Sequence, residues 1–484
     1  MSSFAIRGRF VHGVPGKPGA LELVPDGLIT IRDGVIEKFE TTTDGVTAGM
    51  AALGGNVQQL ADDEFCVPGL IDTHVHAPQY QFNGTATDLP LMEWLQHYTF
   101  PAERRMSDVE LAKKVYSRLV RRLLTHGTTT AVYFASIHLE ATKALVDICR
   151  ALGQRAFVGK VAMDQYGAPE YEETTEESLR DTEALIHYCH GCEPAGDEPV
   201  RRLVNPVVTP RFIPTCSAAL LQGLGDLAKQ YRATGCWVQS HCAESFDEMA
   251  FVESLHPGSR DTEIFDSVGL LTDRCVMAHC VHLTAGELAL FAERHTGVAC
   301  CPLSNSFFAG GVFGLRRAQR AGVRIGLGTD VAGGYSPSML NSCRTAVVAS
   351  KLAYDATIAN RAANDTAAGE AVTADGQATD SVAADGGVVV DYKLAFWTAT
   401  IGGAATLGLE DHLGHFAPGK QFDAAVVTRA ADVYDTFPPP SAEALAILAA
   451  DFERYTNLGD DRNISRVYVR GRLVKGDEEE RVVG

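Results

Sequence analysis

The sequence predicts an α/β protein, a (β/α)8 TIM barrel with a small β-sandwich domain formed from both termini. Three observations carry this expectation. Eight strand-like apolar runs alternate with helical stretches through the middle of the chain, without any repeat of solenoid period. Several of these runs break into His, Glu or Asp at their C-terminal ends, where a parallel barrel builds its active site. Both chain ends read as short strands joined by turns.

Residues 1–67 supply the first part of the predicted sandwich. There LITIRDGVIEKFE alternates apolar and polar residues around Asp33-Gly34, a hairpin signal. Residues 406–484 supply the second part, with QFDAAVVT followed by RVYVRGRLVKG and a turn at Gly471. The barrel is expected over 68–405, with strands at 65–73, 127–134, 155–161, 203–208, 236–241, 274–279, 297–301 and 323–329. Capping boxes, Ser107 with Glu110 and Thr284 with Glu287, mark two helix starts. Residues 356–388 have no aromatic side chain and are rich in Ala, Asp, Thr and Gly. Such a stretch buries little apolar surface and reads as a mobile surface insertion.

The 484 residues are 46% apolar and 21% charged, values of an ordinary globular protein long enough for a barrel plus a smaller domain. A net charge of −19 repels phosphate backbones and disfavours polymeric DNA or RNA as a partner, while a neutral small molecule stays open. No apolar run approaches the ~18 residues of a membrane span, and MSSFAIRGRFVHG lacks the pattern of a secretory signal. The twelve cysteines are scattered, many within apolar runs. Reduced core thiols in the cytoplasm are the expectation, rather than a disulfide framework.

Four fragments carry the chemistry. His74 and His76 follow the run FCVPGLID; residues two apart on a strand share a side, so both imidazoles can reach one ion. His241 lies in VQSHCAE, His279 in VMAHC and Asp330 in IGLGTD. Imidazoles with a carboxylate suit a borderline divalent ion, zinc or iron. Glu244, three residues after His241, places an acid/base group beside an ion at that strand end. Each fragment alone has a bland reading: a core histidine, an acidic first helical turn or an N-cap. Their agreement at successive strand ends favours the site. Other features fail. His138-Leu139-Glu140 is followed by no P-C-x-x-C, Gly326 and Gly328 complete no dinucleotide loop, and neither G-x-S-x-G nor a phosphate-loop motif occurs. Cys300-Cys301 fits core packing, and His187 with His190 fits a solvated helix face.

PGLIDTHVHAPQY, SHCAE, MAHC and GLGTDVAGG together resemble the amidohydrolase superfamily. The run HVHAPQYQFNGTATDLPLMEWLQHYTFPAE, TPRF at 209–212, GTDVAGGYSPSML and NLGDDRNI are similar to its guanine deaminases. The likeness is densest over about 65–345 and returns over 395–475; the 356–388 insertion departs from it, as does ACCPLSN, where relatives commonly carry a histidine before the Cys-Pro. The resemblance implies hydrolytic deamination of guanine to xanthine and ammonia, in purine catabolism or salvage, by a homodimer. It implies one Zn2+ per subunit on His74, His76, His241 and Asp330, with Glu244, His279 and Asp330 catalytic. It also implies a substrate site of Gln79, Arg211, Phe212, His241, Glu244 and Asp330. An Arg donor suits the carbonyl oxygen of an oxo-purine. Trp94 either stacks on the base or fills the core. The alternatives are another purine, a pyrimidine or a triazine as substrate, or a non-catalytic scaffold with the same fold.

Overall fold

The computed structural model describes residues 3–53, 57–192, 202–367, 389–429, 432–437 and 443–476. The N-terminal region contributes β1 (Ser3–Gly13), β2 (Leu21–Arg32), β3 (Val35–Glu40), β4 (Val57–Gln59) and β5 (Glu64–Pro68). The middle contributes β6 (Leu70–His76), β7 (Thr128–Phe134), β8 (Arg155–Gly159), β9 (Val161–Ala162) and β10 (Val204–Pro210). It continues with β11 (Trp237–Cys242), β12 (Cys275–His279), β13 (Gly297–Cys300) and β14 (Arg324–Leu327), and the C-terminal region adds β15 (Ala424–Thr428), β16 (Ile464–Val469) and β17 (Arg472–Lys475).

The barrel strands run in the order β14-β13-β12-β11-β10-β8-β7-β6, with the short β9 on β10. Neighbours pair in parallel, as helical crossovers between successive strands require. The ring closes between its two ends: the Thr73 hydroxyl donates to the Leu327 carbonyl, and the backbone N–H groups of Asp330 and His76 donate to the carbonyls of His74 and Val331. Every residue of β6, β7, β10, β11 and β12 is buried, which explains their continuous apolar character. Side chains alternate. Ile71, Val132, Phe157, Val207, Trp237, Val276 and Ala299 fill the barrel, whereas Val75, Tyr133, Val158, Val208, Val238 and Met277 pack outward among helix side chains.

The terminal strands form one sheet in the order β17-β16-β15-β5-β1-β2-β3, with β4 also on β1. It curls around Phe10, Ile29, Phe416, Phe422 and Tyr468, so that Phe422 N–H donates to Gly34 and Gly471 N–H donates to Phe422. Both predicted hairpin turns are present. Asp33-Gly34 and Arg470-Gly471 have positive φ at both residues, the conformation of a type I′ turn.

Three expectations are corrected. The predicted strand 65–73 is two strands, because the chain leaves the terminal sheet at Pro68 and enters the barrel at Leu70. Gly69 makes the switch where a Cβ would collide with Thr129. The helix Val109–Thr125 is capped not by Ser107 but by Asp108, whose carboxylate accepts from the N–H groups of Glu110 and Leu111. The Thr284–Glu287 box is present as predicted. The helix Met339–Ala367 runs into the predicted insertion, so 356–367 is helical; the remainder, 368–388, lies outside the described residues. No helix among the described residues is long and apolar enough to cross a membrane.

Candidate active site

The C-terminal ends of the strands converge on one pocket. β6 carries His74 and His76 on the inner side of the barrel, with Val75 between them in the outer core. His241 is the penultimate residue of β11, His279 ends β12, and Asp330 follows β14. The backbone is strained here. Ala243, His279, Cys280 and Asp330 all have positive φ, uncommon for residues with a Cβ and concentrated at functional sites.

The donor atoms lie close together. One nitrogen from each of His74, His76 and His241 lies within 4.8 Å of the others. Nε2 of His76 and Nε2 of His241 are 3.1 Å apart. Oδ1 of Asp330 is 3.1 Å from Nε2 of His74 and 3.4 Å from Nε2 of His76. His241 donates its Nδ1–H to the Arg211 carbonyl at 2.6 Å, which leaves the Nε2 lone pair facing the cluster. Burial first, then neighbouring positive groups, hold all three imidazoles well below the ordinary histidine range, so they are neutral at physiological pH. Nε2 of His74 is buried without a hydrogen-bond partner. Lone pairs facing one another around a buried carboxylate repel unless a cation lies among them. The donor set therefore fits a divalent ion of the zinc type, and His74, His76, His241 and Asp330 would hold it.

Glu244 follows β11 and turns into the same pocket, 5% exposed. Its Oε1 is 3.6 Å from Nε2 of His279. Burial, then the Asp330 charge, push the Glu244 carboxyl well above the usual range. His279 donates Nδ1–H to Oδ1 of Asn305 at 2.9 Å, and its Nε2 lies 3.9 Å from Oδ2 of Asp330. This nitrogen thus stands between the two carboxylates.

The pocket is walled by Gln79, Trp94, Arg211, Phe212 and Phe308, with His76, His241, Glu244, His279 and Asp330 also lining it. Arg211 and Phe212 follow β10, and Gln79 lies in the 3-10 turn Pro78–Phe82 after β6. The metal, acid/base and substrate residues expected from the sequence are thereby gathered at one end of the barrel. Trp94 lines the pocket and packs in an aromatic cluster with Phe308 at 4.9 Å.

A model of the amidohydrolase family matches residues 65–474. The chain belongs to the amidohydrolase family. The mouse guanine deaminase is 38% identical, over 98% of this chain and 96% of the relative, and that of Dictyostelium discoideum is 35% identical over 97% of each. Among solved structures, the guanine deaminase of C. acetobutylicum with bound guanine superposes with a TM-score of 0.80 at 29% identity, covering 98% of this chain and 100% of that one.

Four residues of this amidohydrolase site carry no role in the sequence reading. Phe134 packs against the rings of His74, His76 and His241 at 5.0, 4.8 and 4.7 Å, an apolar floor beneath the ligand set. It ends β7, so the strand-end rule that singled out the histidines also reaches it. Asp72 accepts from the backbone N–H groups of His74 and Thr329 and from the Thr329 hydroxyl, tying the two ends of the barrel together. Asn305 orients His279, and Glu103 binds both Gln79 and Arg211. No local signal marks these three, because each depends on a partner distant in sequence: Thr329 for Asp72, His279 for Asn305 and Arg211 for Glu103. Of the rejected features, Cys301 comes near the site, its Sγ within 4.8 Å of a nitrogen of His74 and of His279, whereas His138, Glu140 and Cys300 keep their bland roles. His138 donates its Nε2–H to the Arg104 carbonyl, Glu140 pairs with Lys143, and Cys300 and Cys301 are buried.

Proposed function

We propose that this chain is a metal-dependent aminohydrolase that converts guanine and water into xanthine and ammonia, with zinc as its ion. One observation carries the reading: four metal-type donors, an acid/base carboxylate and a fourth imidazole converge beside the Arg211–Gln79 wall. When bound, a zinc-type ion supplies Lewis acidity that makes water acidic near neutral pH.

The protein groups then have distinct tasks. Arg211 offers N–H donors to the carbonyl oxygen of the purine, Gln79 meets a heterocycle edge, and Phe212 packs on the ring. Glu244 takes a proton from the attacking water and delivers it to the ring nitrogen beside C2, making that carbon more electrophilic. Its raised pKa suits a carboxyl that must hold a proton between two transfers. As the C–O bond forms at C2, His279 in its doubly protonated form, with Nδ1–H on Asn305, turns its Nε2–H to the developing oxygen charge and stabilises it. Asp330 takes the remaining proton of that oxygen and helps deliver it to the amine. The C2–N bond breaks, ammonia departs, and a second carbonyl remains. Preorganised groups of this kind are usually the largest contribution to rate.

The twelve cysteines are all free, eleven of them buried, which supports the cytoplasmic reading. The homodimer reading rests on the family resemblance, and sedimentation of the purified protein checks it. The decisive test of the activity is incubation with guanine, followed spectroscopically for xanthine and by ammonia release, with and without chelator. No release from guanine beside good turnover of adenine-type substrates, cytosine or a triazine overturns the reading.

A further inference from the structure

Glu103 is fully buried, in the short helix Phe100–Arg104. Its Oε2 accepts from Nη1 of Arg211 at 2.6 Å and from the Tyr171 hydroxyl at 2.7 Å. Its Oε1 accepts from Nη2 of Arg211 at 3.2 Å and from Nε2 of Gln79 at 3.0 Å. An unpaired carboxylate is strongly disfavoured in such a place, and one cation together with two neutral donors, four hydrogen bonds in all, compensates it. Two of its three partners, Arg211 and Gln79, line the pocket.

The consequences for those partners are specific. Gln79 donates to Glu103 with one end of its amide and accepts from the Ala332 N–H with the other, at 3.1 Å. Flipping the amide would set its oxygen against a carboxylate and its NH2 against an N–H group. Only one orientation is therefore open to it, and the pocket meets a fixed donor and acceptor pattern. The Arg211 guanidinium is forked onto both carboxylate oxygens and lies over the Phe100 ring at 4.8 Å, so its plane is fixed and its remaining N–H groups keep one direction. Pairing with Glu103 also neutralises the wall, which suits an uncharged base.

We infer that Glu103 is a positioning residue that sets the hydrogen-bonding pattern with which the pocket reads an oxo-purine. The inference rests on the guanine reading above. Glu103 reaches substrate only through Arg211 and Gln79, so its loss should weaken binding more than it slows the chemical step.

The test compares wild type, Glu103→Gln, Glu103→Asp and Tyr171→Phe as metal-loaded full chains. In Glu103→Gln one carboxylate oxygen becomes an NH2 that must face a donor. KM for guanine is expected to rise at least ~10-fold while kcat changes by less than about threefold. The dissociation constant for xanthine, measured by calorimetry, should rise in parallel with unchanged metal content. Glu103→Asp keeps the charge at a shorter reach and should fall between; it carries the test if the Gln variant does not fold. Tyr171→Phe removes one hydrogen bond from the same carboxylate but spares Arg211 and Gln79, and should move KM less than about twofold.

A Glu103→Gln or Glu103→Asp enzyme with wild-type KM and xanthine affinity overturns the inference. So does a Tyr171→Phe enzyme as impaired as Glu103→Gln, because packing and not the carboxylate would then set affinity. Wild type inactive on guanine sinks the guanine reading instead. The KM and kcat comparison on the best substrate of a purine panel then judges Glu103 by itself.

Discussion

Asp330 donates its backbone N–H to the His74 carbonyl at 2.9 Å, while its Oδ1 lies 3.1 Å from Nε2 of the same histidine. The seam that closes the barrel and the cluster that would hold the ion thus share these two residues. Asp72 strengthens the seam from beneath, accepting from His74 on one side and Thr329 on the other. Metal binding and barrel closure are coupled by this arrangement, because an ion held only in the closed ring stabilises the closed ring.

Chelation should therefore lower the melting temperature as well as abolish ammonia release. A ligand at 100 times its dissociation constant stabilises a fold by about 2.7 kcal/mol, so the expected drop is several degrees. Differential scanning calorimetry with elemental analysis checks this, and re-addition of zinc should restore both properties. Removal of the ion, verified by analysis, without any change in melting would dissociate the seam from the site.

Glu244→Gln should keep the ion and lose at least ~100-fold in kcat, the low end of acid/base contributions. Glu244 stands outside the proposed ligand set, with its Oε1 3.6 Å from Nε2 of His279. Steady-state rates alongside metal content decide the matter. A near-normal rate would remove this carboxyl from proton transfer.

Asn305→Ala should lower kcat about 10–100-fold with little change in KM. The amide oxygen accepts from Nδ1 of His279 and so holds Nε2 between Glu244 and Asp330. Asn305→Asp retains an acceptor at that point and should recover part of the loss. If both substitutions leave kcat untouched, the His279 orientation needs no help from Asn305.

The parts legible in the sequence are those in which one short fragment carries its own geometry. His74 and His76 could be placed on one side because a strand alternates, and Asp33-Gly34 marked its turn because both residues adopt positive φ there. Asp330 and His279 were legible because barrels place chemistry at strand ends. Glu103 was not. In FPAER it looks like an ordinary surface charge, and its burial arises from an arginine 108 positions away. Gly69 likewise hid a change of sheet inside one apolar run, since Phe65 and Ile71 are equally apolar whichever sheet they join. Asp108 displaced Ser107 as a cap by one position, a choice set by where the preceding turn ends.

His12 on β1 and His415, in the loop before β15, are two histidines whose titration should limit stability in mild acid. His12 and His415 stack with ring centroids 6.2 Å apart, beside Phe416. Burial lowers the pKa of both, and the His415 imidazole is brought down to about 3, with Lys420 and His12 adding to the effect. Glu22, 3.6 Å from His12, opposes the shift at that ring without reversing it. In the unfolded chain both rings titrate near 6.5. As pH falls below that value, the unfolded state takes up protons that the folded state refuses, so stability decreases. The loss begins near pH 6.5 and grows toward the folded value of about 3 for His415. Buried carboxyls such as Glu248, held above their ordinary range, titrate in the opposite sense. The difference between two proteins therefore carries the test, and not the slope of one. Melting temperatures of wild type and His415→Phe should diverge progressively between pH 7.5 and 5, with the variant less sensitive to acid. Parallel curves over that range would show that these rings do not set the acid limit.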